Sequence, residues 1–245
     1  MTPQLLDLGQ SDMENGHDKR IAFLQQTTLF ADISAADLQA IAVDIIPRTF
    51  KQGEIIFHEG DPGQTLYLIQ SGQVRIFVNG LDGSETSVIL FGRPGEIFGE
   101  LAVVDGMPRS ATALALGQTV LYTMSRENFR QHTLNYPQLA LNFMKVLSSR
   151  LRSSTQQMDS LASLGIPQRL ARKLLQLAQD YGKAEVAGVN ITMRLTQTDL
   201  ASLIGATRES TNKTLREFRQ NGWLHMDQGQ ITILDAEALK AQVTA

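Results

Sequence analysis

The chain of 245 residues contains no cysteine. That excludes disulfides, thiolate nucleophiles and cysteine-ligated zinc or iron–sulfur centres. No run of about 18 apolar residues occurs, so no membrane-spanning helix is expected. The polar N-terminus, Met1 to Arg20, lacks the apolar segment of a secretory signal. The four histidines, His17, His58, His132 and His225, are scattered without ligand spacing, which speaks against a metal-dependent enzyme. An excess of positive charge is also lacking: 22 Lys and Arg face 25 Asp and Glu, a net charge of −3. These absences fit a cytoplasmic protein of one or two domains.

The charge is unevenly spread. Residues 1–166 carry 12 basic against 17 acidic side chains, whereas residues 167–245 carry 10 against 8. A mildly basic C-terminal part hints at a second task there, since a local basic face suffices for contact with phosphates.

The patterning also divides the chain. Residues 1–19 are polar and read as a disordered tail. Ile21-Ala22-Phe23-Leu24 starts a short helix, and Ser34-Ala35-Ala36-Asp37 caps another ahead of Leu38 and Ile41. From Arg48 to Met124 short β-rich runs alternate with turns at Gly53, Gly60-Asp61-Pro62-Gly63, Ser71-Gly72, Asn79-Gly80, Asp82-Gly83, Pro94-Gly95 and Gly117. Many short strands at this spacing predict a double-sheet β architecture. A long helix follows from about Pro137 to Leu164. Met144, Leu151 and Met158 fall at heptad position a, and Leu147, Ser154 and Leu161 at d, a seam for a second helix. The same spacing also suits a helix packed on its own domain. Leu164-Gly165-Ile166-Pro167 breaks this helix and is the hinge candidate. A further helix runs from Gln168 to Tyr181 with Gly182 at its C-cap, and residues 183–190 read as a loop.

Two stretches carry chemistry. In Gly95-Glu96-Ile97-Phe98-Gly99-Glu100-Leu101, continuing to Arg109-Ser110-Ala111, Gly99 opens a turn whose following N–H groups are free. Gly106 and Pro108 bring the chain back, so the Arg109 guanidinium can join those donors around a phosphate. Glu100 suits a ribose hydroxyl or a partner orienting Arg109, and Ser110 adds a hydroxyl. An ordinary surface turn with a Glu–Arg pair uses the same residues.

The second stretch is a helix-turn-helix pattern. Thr196-Gln197-Thr198-Asp199 caps a first helix, Ala201 and Gly205 permit close approach and a tight turn, and Thr207 opens a second helix. Thr211 and Thr214 stand where aliphatic residues are usual. Arg208, Glu209, Asn212 and Lys213 face outward, where Arg suits guanine and Glu suits cytosine N4. A solvated i,i+4 pair, Glu209–Lys213, is the plainer reading. Residues 223–226 and 230–233, joined by Asp227-Gln228-Gly229, form a hairpin wing.

The Phe-Gly-Glu-Leu start and Arg-Ser-Ala end of the first stretch resemble the phosphate-binding cassette of cyclic-nucleotide-binding domains. Gly-Ala-Thr-Arg-Glu-Ser, residues 205–210, resembles the reading helix of the Crp/Fnr regulators. Together the resemblance spans about residues 30–235. It implies an α+β protein: a β jelly-roll ligand domain (20–135), a dimerisation helix with its hinge (136–166) and a winged helix-turn-helix domain (167–245). It further implies cyclic AMP as allosteric effector, held by Gly99, Glu100, Leu101, Arg109 and Ser110. Ser154 and Thr155 stand where the cyclic-AMP receptors reach the adenine from both subunits, though in reversed order. The implied partners are a second copy of the chain, a TGTGA-like DNA palindrome and RNA polymerase, with no membrane and no enzymatic activity. The DNA contacts fall on Thr196, Thr207, Arg208, Glu209, Ser210, Asn212 and Lys213. Family members that sense cyclic GMP, cyclic di-GMP, 2-oxoglutarate or haem, or that act without ligand, are the alternative. A kinase or channel regulatory module would need a kinase motif or a membrane span.

Overall fold

A computed structural model describes residues 7–80, 85–227 and 229–244, with backbone alone for residues 7–15. The first six residues of the expected tail, the Asp82-Gly83 turn and Gln228 of the wing turn lie outside the described residues. By internal packing the chain divides into two units, Met1–Val74 with Phe91–Arg150, and Arg75–Leu90 with Leu151–Ala245.

The N-terminal part departs first from expectation. A helix α1 occupies Asp7–Gln25, overlapping the span 1–19 that polarity alone predicts to be a disordered tail. Its last turn buries Leu24 in a core with Leu29 and Ile41, and this packing rather than intrinsic propensity anchors the helix. Ile21 to Leu24 thus end a helix rather than begin one. Helix α2, Ala35–Val43, starts as expected: the Ser34 hydroxyl accepts from the Asp37 N–H at 3.2 Å, a cap worth about 1 kcal/mol.

Eight strands follow: β1 (Ile46–Phe50), β2 (Ile55–Phe57), β3 (Thr65–Ser71), β4 (Val74–Asn79), β5 (Glu85–Phe91), β6 (Ile97–Phe98), β7 (Thr112–Ala115) and β8 (Thr119–Ser125), with the short helix α3 (Glu100–Asp105) between β6 and β7. They form two four-stranded sheets, ordered β1-β8-β3-β6 and β2-β7-β4-β5, the double-sheet jelly roll that the alternation implied. Pro47 is tolerated because β1 is an edge strand. Helix α4, Arg126–Asn135, leads into α5, Pro137–Ser163. The first half of α5 packs through Leu139 and Phe143 onto a core with Leu24, Phe30, Ile41, Leu66 and Leu68. Each such side chain contributes about 1.5–3 kcal/mol by leaving water. Buried Asn142 fixes the axial position of α5 by donating to the carbonyls of Leu29 at 3.1 Å and Ala31 at 2.6 Å.

After a two-residue break, α6 spans Ile166–Tyr181. The expected loop over 183–190 is instead a hairpin, β9 (Gly182–Glu185) and β10 (Gly188–Ile191), which joins β11 (Leu224–Asp227) and β12 (Gln230–Ile233) in a sheet ordered β11-β12-β10-β9. Gly182 accordingly has extended φ −80° and ψ 141°. It is needed for space, since a Cβ there would lie 2.0 Å from the Ala178 carbonyl. Helices α7 (Gln197–Leu203), α8 (Arg208–Gln220) and α9 (Ala236–Thr244) complete the chain.

Candidate ligand site and nucleic-acid interface

The first site is built where β6 runs into α3. Gly99 caps α3 at φ 70°, a left-handed conformation that favours glycine. A Cβ there would lie 2.5 Å from Nη1 of Arg109. Backbone bonds fix Arg109 from both sides: its N–H donates to Asp61 O, and its carbonyl accepts from the Gly60 N–H, each at 2.9 Å. Its guanidinium is buried, at 5% exposure. Nη1 donates to Gly99 O at 2.6 Å and Nη2 to Thr65 O at 2.7 Å. The guanidinium carbon lies 4.2 Å from the Phe57 ring centre and 5.6 Å from that of Tyr67. Nε is buried without an acceptor. Burial pushes the Arg109 pKa below its ordinary value, while Tyr67, Glu100 and Asp61 draw it back up. A desolvated cation whose Nε–H is left without an acceptor suits an anion. Burial likewise raises the Tyr67 hydroxyl, against the pull of Arg109 and Arg48.

Glu100 is buried beside this group, but its ion-pair partner is not Arg109. Arg150 of α5 places Nη1 2.7 Å from Glu100 Oε1 and donates through Nη2 to the Ile97 carbonyl. This residue was missed in the sequence, where nothing links an arginine on a long helix to a glutamate fifty positions earlier. Leu101 is half exposed, and Ser110 is exposed beside Arg109. The structure therefore gathers Gly99, Glu100 and Arg109 at one place and adds Arg150. Ser154 and Thr155 are exposed on α5, where the Thr155 hydroxyl donates to Leu151 O at 3.0 Å. Along the same helix Met144, Leu151, Met158 and Leu161 are exposed, Leu151 by 69%.

The donor set fits a cyclic nucleotide. The orphan Nε of Arg109 suits a phosphate, the missing side chain at Gly99 leaves room for the Arg109 guanidinium, and the Glu100 carboxylate is an acceptor for a ribose hydroxyl. Among the described residues no group of three or more His, Cys, Asp or Glu is placed to hold a metal ion, and no helix is long and apolar enough to cross a membrane.

The second site is the turn between α7 and α8. Thr196 and Asp199 form a capping box, with Asp199 N–H donating to Thr196 Oγ1 at 3.1 Å and Thr196 N–H to Asp199 Oδ2 at 3.0 Å. Gly205 supplies φ 58°, and Ala206 N–H donates to Ala201 O at 2.9 Å. Thr207 caps α8 by accepting from Ser210 N–H at 3.1 Å. The hydroxyls of Thr196, Thr207 and Ser210 thus serve local caps. Arg208, Glu209 and Lys213 are exposed on α8 as the spacing implied. Asn212 differs: it is half-buried, its Oδ1 is enclosed without a partner, and it lines a pocket of about 300 Å³ against the wing residues Met226, Asp227 and Gly229. Thr211 and Thr214 are buried. Their hydroxyls donate to the carbonyls of Thr207 at 2.9 Å and Ser210 at 3.1 Å, which leaves their methyl groups to pack.

Comparison with known proteins bears on both sites. Residues 47–136 match the cyclic nucleotide-binding domain, and residues 168–242 match the Crp-like helix-turn-helix domain. The CRP-like cAMP-activated global transcriptional regulator of Mycobacterium tuberculosis is 33% identical over 216 residues, covering 88% of this chain and 96% of that one. The chain belongs to the Crp/Fnr family of transcription regulators. As a Crp/Fnr protein it joins a cyclic nucleotide-binding domain to a DNA-binding helix-turn-helix domain, in a family of regulators rather than enzymes. The Cyclic AMP receptor protein of Thermus thermophilus is also 33% identical, over 79% of this chain and 86% of its own. The c-di-GMP responsive global regulator CLP of Xanthomonas campestris has a solved structure with a TM-score of 0.70 at 25% identity. That match covers 82% of this chain and all of CLP.

Proposed function

We propose that this Crp/Fnr regulator is switched by cyclic AMP and acts in the cytoplasm as a homodimer on a TGTGA-like palindrome, with RNA polymerase as a further partner. The observation that carries the reading is the buried Arg109 guanidinium with its free Nε beside Gly99 and Glu100. Cyclic AMP, when bound, supplies a phosphate monoanion and a ribose 2′-hydroxyl. Arg109 and Ser110 hold the phosphate, with backbone contacts from Gly99 and Leu101. Glu100, oriented by Arg150, accepts from the 2′-hydroxyl. Ser154 and Thr155 of the two subunits reach the base.

The dimer reading is supported by the apolar stripe that α5 leaves exposed, which a second α5 would cover. Binding acts by population shift: a ligand that touches both cassette and seam favours one arrangement of the paired helices. The break at Leu164-Gly165 then lets two copies of α8 settle about one DNA turn, roughly 34 Å, apart. Arg208, Glu209 and Lys213 read bases there. Calorimetric titration of the full chain with cyclic AMP, cyclic GMP, cyclic di-GMP and 2-oxoglutarate tests the reading. Tightest binding of cyclic AMP is expected. A second reading, response to cyclic di-GMP, draws on the similarity to the Xanthomonas regulator, and tighter binding of that ligand would establish it instead.

A further inference from the structure

We infer that a cavity between the C-terminal half of α5 and the basic face of α6 is a second effector site, for a small hydroxylated organic phosphate. The cavity measures about 770 Å³. The chemistry that lines it differs from that of the Arg109 site. No aromatic ring contributes, so nothing there stacks on a base. Its cations are instead Arg169, Arg172 and Lys173, spaced i, i+3 and i+4 on α6, the side opposite the buried Leu170, Ala171, Leu174 and Leu177.

These cations are under-neutralised. Lys240, also at the rim, is paired by Glu237 at 2.8 Å. The other three face two carboxylates, Asp159 and Asp180. Arg172 donates to Ser160 Oγ at 2.7 Å and lies 3.7 Å from Asp159. Arg169 makes only long bonds, to Leu161 O at 3.5 Å and Gly205 O at 3.4 Å, and its Nε is enclosed without an acceptor. Lys173 holds Gln176 Oε1 at 3.0 Å. Burial pushes its pKa down against the pull of Asp180, so its charged form lacks solvation that an anion would replace. Two guanidiniums and an ammonium suit a phosphate. Carboxylates, glutamines and serine hydroxyls around them suit the hydroxyls of a sugar or glycerate.

The site also has a lever. Gln157 donates to Leu203 O at 3.3 Å, and Arg169 reaches Gly205 O at 3.4 Å. The Leu203 carbonyl ends α7 and the Gly205 carbonyl lies in the turn that leads into α8. A phosphate that draws Arg169 toward the cavity loosens its hold on that turn, so occupancy changes DNA affinity. This site stands apart from the cyclic-nucleotide reading and survives its failure.

The test is calorimetry on the full chain, with and without cyclic AMP at fixed ionic strength, with glucose 6-phosphate, 3-phosphoglycerate, glucose and inorganic phosphate as probes. At least one phosphate ester is expected to bind about tenfold or more tighter than glucose or inorganic phosphate. The paired substitution Arg169→Ala with Arg172→Ala should remove that binding and leave the cyclic-AMP titration unchanged. Should that pair prevent folding, Lys173→Met, which keeps the aliphatic stem, should still weaken the ester by about tenfold. Absence of heat from both esters, equal binding of inorganic phosphate, or unchanged binding in a folded variant overturns the proposal. So does a variant that loses affinity alike on every DNA duplex with no heat from either ester, since the cavity would then be a DNA-backbone contact.

Discussion

Arg150 closes on Glu100 at 2.7 Å, with 22% and 11% of the two side chains exposed. The pair joins the long helix to the cassette, and it leaves Arg109 free of a carboxylate partner. Its second donor goes to Ile97 O, at the start of the turn that Gly99 completes. Glu100 is therefore held in one orientation before any ligand arrives, and that lowers the entropy a ligand hydroxyl must supply.

The first prediction concerns this orientation. If Glu100 accepts the ribose hydroxyl, 2′-deoxy cyclic AMP should bind more weakly than cyclic AMP by about 1.5–3 kcal/mol, the worth of a hydrogen bond to a charged group. In Arg150→Met the carboxylate is no longer fixed, and the gap between the two ligands should shrink. Paired titrations of both proteins measure it. A gap that is unchanged by the substitution removes Arg150 from the ligand site.

Arg109 gives a second prediction. Arg109→Lys keeps the charge but not the planar fork that serves Gly99 O, Thr65 O and a ligand together. The variant should fold, since a cation still lies over Phe57, yet bind cyclic AMP at least about tenfold more weakly, a difference of about 1.4 kcal/mol. Wild-type affinity in a folded Arg109→Lys would make the guanidinium a structural brace.

The third prediction tests the seam. Leu151 and Met158 are exposed by 69% and 61% on α5. Light scattering at micromolar concentration should report a dimer with or without ligand. Leu151→Asp, which sets two carboxylates face to face in an apolar seam, should shift it to monomer. A monomeric wild type refutes the seam.

Much of the jelly roll could be read from local signals. Runs such as Leu66 to Ile69 and Val74 to Val78 carry β-branched and aromatic residues between glycine turns, and they became β3 and β4. β7 is not legible, because Thr112, Ala113 and Ala115 are small buried residues that lack the β-branched and aromatic alternation of the other strands. β9 was hidden for the opposite reason: all four of its residues are exposed, so it has no period to show. At the sites, residues 95–111 point to a turn at Gly99 with Arg109 returning beside it; the left-handed φ of 70° at Gly99 and the burial of Arg109 come from the structure. The Arg150–Glu100 pair stayed hidden because it depends on how α5 packs. The enclosure of Asn212 is not legible either, because helical spacing alone does not tell which side of α8 the wing residues Met226, Asp227 and Gly229 approach.

Thr211 supplies a fourth prediction, about stability. It is fully buried, and its hydroxyl donates to Thr207 O at 2.9 Å. That carbonyl already accepts the Thr211 N–H at 3.0 Å. Thr211→Val strands no partner, so it should change stability by less than about 1 kcal/mol. Thr211→Ser deletes the methyl and should cost about 0.8 kcal/mol. Denaturant titration of both variants measures the difference. A larger loss in Thr211→Val would show that the hydroxyl, not the methyl, carries the packing.

The last prediction separates base reading from positioning on α8. Arg208 is exposed in the first turn, next to Glu209, while Asn212 is turned toward the wing. A dimer with two-fold symmetry implies an inverted repeat, and the half-site proposed for it is TGTGA, with TCACA on the far side. An arginine that reads guanine through two donors discriminates between bases. Arg208→Ala should therefore cost about 1–3 kcal/mol on that repeat and much less on a scrambled duplex. Lys213 offers a point charge rather than a fork, so its base pair should be read less strictly, and Lys213→Arg should sharpen preference there. Asn212→Ala should weaken both duplexes slightly and alike, because its amide faces the wing rather than a base edge. Binding of wild type and the three variants to cognate and scrambled duplexes, with cyclic AMP present and salt fixed, measures all of this. If Arg208→Ala weakens the two duplexes equally while Asn212→Ala discriminates between them, the reading face of α8 is turned toward the wing and the assignment of Arg208 falls.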